Sequence, residues 1–208
     1  MTYNPAVHHR HSIRLPGYDY SQAGAYFITL CTYQRKCIFG EIVGAGFIPA
    51  QMKLNEYGQI AYDQWQKLPE RFENIELDAF AIMPNHIHGI IIIPDPDPVG
   101  AGFTPALDDE TANTRVGASP TPTLMPTGQP LRLPLRNTIG DIVGAYKSLV
   151  AKECLKICKT NKTMGKIWQR NYYEHIIRDE EDFDRIATYI QDNPSLWEKD
   201  TYFSGRKP

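Results

Sequence analysis

A chain of 208 residues, 42% hydrophobic and 22% charged, has the composition of an ordinary folded domain and the length to bury one sizeable core. Its formal net charge of −2 at pH 7 excludes a uniformly basic, nucleic-acid-coating protein. The longest aliphatic run, Ile90 to Ile93, is far too short to span a membrane.

The elements follow in chain order. Gly24 to Arg35, GAYFITLCTYQR, is aromatic and β-branched and reads as the first strand. Phe39 to Val43 and Gln51 to Leu54 read as a hairpin around a Gly/Pro-rich turn. Asn55 caps a helix that runs to about Leu68, with Ile60, Ala61 and Trp65 apolar and Pro69 as its stop. Ile75 to Met83 alternates as a strand should, and His86 to Ile93 is a second strand, joined to it through Pro84-Asn85 as an antiparallel hairpin. The stretch from Pro94 to Leu133 is rich in Pro, Gly, Thr and Asp, has no hydrophobic period, and reads as a flexible insertion (94–133). Within it VGAGFTPA (Val99 to Ala106) echoes VGAGFIPA (Val43 to Ala50); two copies in two turns do not build a repeat fold. Asn137 then caps a helix to about Ile157, striped by Ile139, Ile142, Val143, Tyr146, Leu149 and Val150. Lys166 to Ile177 reads as a strand. Asp179 to Asp192 reads as a closing helix with an acidic first turn, stopped by Pro194.

Strand, helix, strand, strand, helix, strand is the split βαβ pattern of ferredoxin-like folds. The expected fold is therefore α+β. It consists of a four-stranded antiparallel sheet with helices on one face, an added N-terminal hairpin, and one domain over 1–208 interrupted by the insertion. Charge is uneven along it. Leu131 to Arg170 holds Arg132, Arg136, Lys147, Lys152, Lys156, Lys159, Lys162, Lys166 and Arg170 against only Asp141 and Glu153, enough to attract a polyanion locally. The cysteines Cys31, Cys37, Cys154 and Cys158 include no C-x-x-C pair, so a zinc ribbon is not expected. The first apolar stretch follows His8, His9, Arg10, His11 and Arg14, so no secretory leader is expected and a reducing cytoplasm is the expected compartment.

The chemistry concentrates in AIMPNHIHGIIIIP, Ala81 to Pro94. His86 and His88 lie two apart on a strand and so face the same way. Two readings fit that spacing: a pair of polar side chains on a wet face, or two imidazole ligands for a divalent metal. The second needs a third ligand. Tyr189 and Asn193 are four apart in the last helix, one turn above each other. Asn193 can offer a carbonyl oxygen and Tyr189 a phenol beside the metal, where a polarised phosphate would be open to attack. Each also has an ordinary reading, as an amphipathic tyrosine and as a helix-terminal residue before proline.

At this point the chain resembles the REP-associated tyrosine transposases, related to the IS200/IS605 group of single-tyrosine HUH endonucleases. The resemblance rests on SIRLPGYDYSQAGAYFITLCT (Ser12 to Thr32), MPNHIHGIIII (Met83 to Ile93), IVGAYKS (Ile142 to Ser148), WQRNYYEHIIRDEEDF (Trp168 to Phe183) and YIQDNP (Tyr189 to Pro194). It implies His86 and His88 as metal ligands with Asn193 as the third, and Mg²⁺ or Mn²⁺ as the metal. It implies Tyr189 as the nucleophile that cleaves single-stranded DNA near a hairpin, forming a 5′-phosphotyrosine and freeing a 3′-hydroxyl. It further implies a monomer or homodimer with hairpin DNA as partner and no membrane. Two other readings remain open: a non-catalytic hairpin-binding protein, and a hydrolytic metal phosphodiesterase that uses the histidines without a covalent tyrosine.

Tyr172 and Tyr173 compete with Tyr189 as nucleophiles, but strand neighbours point opposite ways, so at most one faces the site. Trp168, Arg170 and Tyr172 are expected to form a base-stacking and phosphate platform, and Lys147 and Lys152 to face phosphates. Arg14, in the basic N-terminal stretch, is expected to reach DNA. Ordinary sheet packing for the aromatics and a solvated helix face for the lysines are the alternatives.

Overall fold

The computed structural model describes residues 15, 17–44, 50–95, 137–158 and 165–203. Arg14 and nearly all of the 94–133 insertion, with its echoed Gly-Phe-Thr-Pro, lie outside them.

Six strands are present among the described residues: β1 (Gly24–Cys31), β2 (Gly40–Val43), β3 (Gln51–Leu54), β4 (Glu76–Ile82), β5 (His86–Ile93) and β6 (Tyr173–Ile177). The main sheet runs β4-β5-β1-β6, antiparallel throughout. That is the ferredoxin-like order the element count predicts, an α+β fold built on a four-stranded antiparallel sheet. β2 and β3 form a separate hairpin.

Helices α1 (Glu56–Gln66) and α3 (Ile139–Ile157) cover one face of the sheet. Tyr26, Ile28 and Leu30 of β1 and Ile87, Ile91 and Ile93 of β5 meet Trp65 of α1 and Ile142, Tyr146 and Val150 of α3 in the larger core. Residues of opposite parity, Ala25, Phe27 and Ile90, point to the other face. There α4 (Glu180–Asp192) packs Ile186 and Ile190 against them. Helix α4, the element left over once the split βαβ unit is counted, thus crosses the sheet face that carries the histidines. None of the described helices is long and apolar enough to cross a membrane.

Local chemistry sets the boundaries. Asn55 caps α1 by accepting from the N–H groups of Tyr57 and Gly58. Pro69 does not end that helix; α1 stops at Gln66, and Pro69 sits in the first turn of a short following helix, α2 (Leu68–Arg71), where a missing N–H costs nothing. The cap of α3 is Thr138, one residue after the expected Asn137. Thr138 and Asp141 form a reciprocal capping box, which Asn137 would have no N3 partner to complete. Asp179 caps α4 through the N–H of Asp182.

The first strand is shorter than its composition suggests, because Tyr33–Arg35 turns into a 3₁₀ segment with Gln34 and Arg35 at positive φ. The stretch before β6 is likewise not a continuous strand. Only Trp168 makes an isolated bridge, to Thr32, and β6 begins at Tyr173.

Candidate functional site

Antiparallel register fixes the start of the site. On β5, His86 stands opposite Cys31 and His88 opposite Thr29 of β1. The wet-face reading of the histidine pair does not hold: His86 is 0% and His88 1% exposed, covered by α4 and the segment after it. Their rings lie 4.5 Å apart, centroid to centroid.

Each imidazole is held from behind. The Asn85 amide nitrogen donates to the carbonyl oxygens of Arg35 (3.1 Å) and Tyr202 (2.8 Å), which fixes which way round the amide sits. Its carbonyl oxygen must then face His86 Nδ1, at 2.9 Å. Nδ1 therefore carries the proton, and Nε2 keeps its lone pair. That Nε2 is buried and has no hydrogen-bond partner. His88 Nδ1 is held by the Thr29 hydroxyl at 2.9 Å, leaving Nε2 facing the site. Burial drives both pKa values down, to about 2 for His86 and about 3 for His88, so both rings are neutral and able to ligate.

Helix α4 brings the other groups. The Tyr189 phenol oxygen is 3.3 Å from His88 Nε2, and Tyr189 is 39% exposed, buried on one side and open on the other. Asn193 continues the helical path one turn on, is 1% exposed, and has a side-chain oxygen with no partner. Burial raises the Tyr189 pKa and the charge of Asp200 adds to the rise, while a hydrogen bond from Asn193 opposes them. The phenol is thus not self-activating.

Several residues here have no sequence signal of their own. After α4, the chain runs on into a 3₁₀ segment over Asn193–Lys199, which seats Trp197 6.0 Å from the His86 ring. It delivers Asp200, whose carboxylate lies 3.7 Å from His86 Nε2. That is too far for a hydrogen bond, and a neutral imidazole forms no ion pair. The Tyr202 ring lies 4.7 Å from that of His86, tilted by 41°, with the Arg35 guanidinium over its face. The 3₁₀ continuation of α4 and the turn after it carry them to the site, and no spacing rule anticipates that.

The donor set fits a divalent ion. Ligand atoms of His86, His88 and Asp200 all lie within 4.8 Å of one another. The buried orphan atoms, His86 Nε2 and Asn193 Oδ1, are the kind a metal would satisfy. Imidazole nitrogen together with amide and carboxylate oxygen is a mixed donor set of the kind that holds divalent ions.

The other expected DNA contacts are scattered. Trp168 is 8% exposed, packs on Phe39 and Tyr146, and donates its indole N–H to the Lys147 carbonyl. A ring so enclosed offers no face to a base, so the expected stacking role is replaced by core packing. Tyr172 packs against the same core, on the face away from the histidines. Its neighbour Tyr173 faces the site side, opposite Thr29. The Lys147 ammonium donates to the carbonyls of Gln169 (2.6 Å) and Arg170 (3.1 Å), tying α3 to the strand approach instead of presenting itself to phosphate. Burial lowers its pKa. Lys152 and Arg170 are exposed, with Lys152 on the helix layer opposite the histidines.

The fold is shared with a solved tyrosine transposase. A REP-associated tyrosine transposase solved with a REP hairpin superposes with a TM-score of 0.51, covering 87% of this chain and 72% of that one at 16% identity. In sequence, a Haemophilus influenzae protein described as uncharacterized is 39% identical over 201 residues, 97% of each chain, and this protein belongs to the same family. No profile of a known protein family matches the chain.

Proposed function

We propose that this protein is a metal-dependent single-stranded DNA endonuclease and strand transferase acting beside DNA hairpins, with Tyr189 as its nucleophile. On this reading the whole chain is one such domain, with 94–133 inserted in it. One observation carries the proposal: a half-exposed phenol lies 3.3 Å from a buried, neutral histidine, beside His86 Nε2 and Asn193 Oδ1, which have no other partners. A structural tyrosine has no need of that company.

The roles follow from the geometry. His86, His88 and Asn193 would hold the metal, and Asp200 is near enough to join them. When bound, the ion supplies positive charge that lowers the phenol pKa and polarises the scissile phosphate. Asn85 and Thr29 keep both Nε2 atoms pointed into the site. The one-turn offset between Tyr189 and Asn193 keeps the phenol beside the ligands. The phenol gives its proton to solvent, its oxygen attacks phosphorus, the P–O3′ bond breaks, and the leaving oxygen takes a proton from solvent as a 3′-hydroxyl, so no net proton is consumed. The 5′-phosphotyrosine keeps the energy of the phosphodiester, so the reverse attack by a 3′-hydroxyl rejoins strands without nucleotide hydrolysis.

The test is a labelled single-stranded hairpin oligonucleotide incubated with the protein and Mn²⁺ or Mg²⁺. A protein–DNA adduct that survives denaturant is expected, absent in Tyr189→Phe and retained in Tyr173→Phe. Cleavage without an adduct would make the protein a hydrolytic phosphodiesterase. Hairpin retention without cleavage would make it a binding protein.

A further inference from the structure

The sheet face carrying the phenol opens into a cavity of about 340 Å³, which Tyr189, His88 and Thr29 of the site itself help to line. This is within the range of sites that hold a small ligand or a single nucleotide unit. Its floor is Phe27, whose ring lies 5.3 Å from His88, 6.3 Å from Tyr189 and 6.2 Å from Tyr173. Tyr173, 45% exposed on the edge strand β6, forms one wall, and Tyr202 and Thr201 the other.

The polar end is a linked trio. His175 Nε2 meets an Asp182 carboxylate oxygen at 2.7 Å, and the Arg185 guanidinium pairs with the other oxygen.

We infer that this cavity is a nucleobase subsite, which takes one base flanking the scissile phosphate and selects the cut site. The inference rests on the nuclease reading above. Three features favour a base over backbone phosphate. The walls are aromatic, as in single-strand binding sites where bases stack on tyrosine and phenylalanine. Asp182 pairs with Arg185 and meets His175, so part of the positive charge at the polar end is already offset against a second anion, while the exposed guanidinium keeps further N–H groups to offer. A linked donor–acceptor edge is what the Watson–Crick edge of an unpaired base can pair with. Because Phe27 touches both Tyr189 and Tyr173, a nucleotide whose phosphate reaches the phenol brings its adjoining base over this floor. Tyr173 is then a specificity residue, which explains why an exposed aromatic stands on an edge strand beside the nucleophile.

The experiment uses the full chain with Mn²⁺ and a pool of hairpin oligonucleotides randomised at the positions flanking the cut. Adduct formation is read by sequencing the attached strand. Wild type is expected to favour particular bases at one flanking position. Tyr173→Ala should lose roughly 5- to 160-fold in adduct formation on the preferred sequence, the loss of one base–aromatic stack, and its preference at that position should flatten. Tyr173→Phe should keep both rate and preference, and Arg185→Ala should change which base is preferred. If Tyr173→Ala cleaves with the wild-type preference, or slows every sequence equally, the cavity does not read a base and the inference falls. If wild type forms no adduct with any member of the pool, the nuclease reading falls, and this inference with it.

Discussion

Asn85 is the residue whose replacement most directly tests the site. It is fully buried, and its side chain makes three hydrogen bonds, to His86 Nδ1, Arg35 O and Tyr202 O. Asn85→Ala removes all three. The two backbone carbonyls sit in partly exposed surroundings where water can replace the amide. His86 is wholly buried, so its N–H would be left without a partner, at about 1–3 kcal/mol. Adding the loss of the two weaker bonds gives a destabilisation of roughly 2–4 kcal/mol. The larger effect is on ligation. Without the amide oxygen nothing fixes the His86 proton on Nδ1, and loss of such an outer partner typically lowers metal affinity ~10- to 100-fold. Asn85→Asp keeps an acceptor for Nδ1 and should lose less affinity than the alanine variant, although it forfeits both donations to the carbonyls. Calorimetric titration with Mn²⁺ at fixed pH, with urea denaturation alongside, measures both quantities. A folded Asn85→Ala protein that binds Mn²⁺ as tightly as wild type would refute the account of how His86 is presented.

Further expectations follow from the same geometry. Gly89 sits between Ile87 and Ile91 on the face of β5 under α1, and a Cβ there would come within 2.4 Å of the Trp65 ring, which is stacked on Phe80. Gly89→Ala should therefore cost about 1–3 kcal/mol by overpacking, read as a lower urea midpoint; an unchanged midpoint would show that the indole moves freely. Trp168→Ala should cost about 3–5 kcal/mol of stability as a core truncation. A loss of DNA binding at full stability would restore the surface-platform role. His86 and His88 stay neutral until about pH 2 and 3, whereas in the unfolded chain histidine takes up a proton near pH 6.5. The unfolded state thus binds more protons as pH falls below about 6.5. Each histidine then withdraws up to ~1.4 kcal/mol of stability per pH unit until its folded pKa is reached. Denaturation midpoints should fall between pH 7 and 5, and less steeply in His88→Gln; parallel curves for the two proteins would contradict this. Chelation with EDTA should abolish adduct formation, and Mn²⁺ should restore it.

Much of this molecule is legible as pattern. The period-two alternation of Ile75 to Met83, the stripe from Ile139 to Val150 and the acidic start of the last helix each report a local rule. Their order alone specifies the sheet that forms. The i, i+2 spacing of His86 and His88 and the i, i+4 spacing of Tyr189 and Asn193 are likewise local, because a strand and a helix each dictate which neighbours share a face. What spacing cannot express is which face is buried and what lies across it. Strand pairing and the docking of α4 decided that the histidines are dry, and the 3₁₀ segment that continues α4 decided that Asp200 and Tyr202 lie against them. Trp168 and Lys147 show the same limit from the other side. An indole and an ammonium look like a nucleic-acid surface in one dimension, and only the packing of α3 against the approach to β6 turned the first inward and tied the second to backbone carbonyls. Local periodicity is a property of the backbone and survives in the sequence; burial depends on contacts between residues tens of positions apart, and those exist only once the chain has folded.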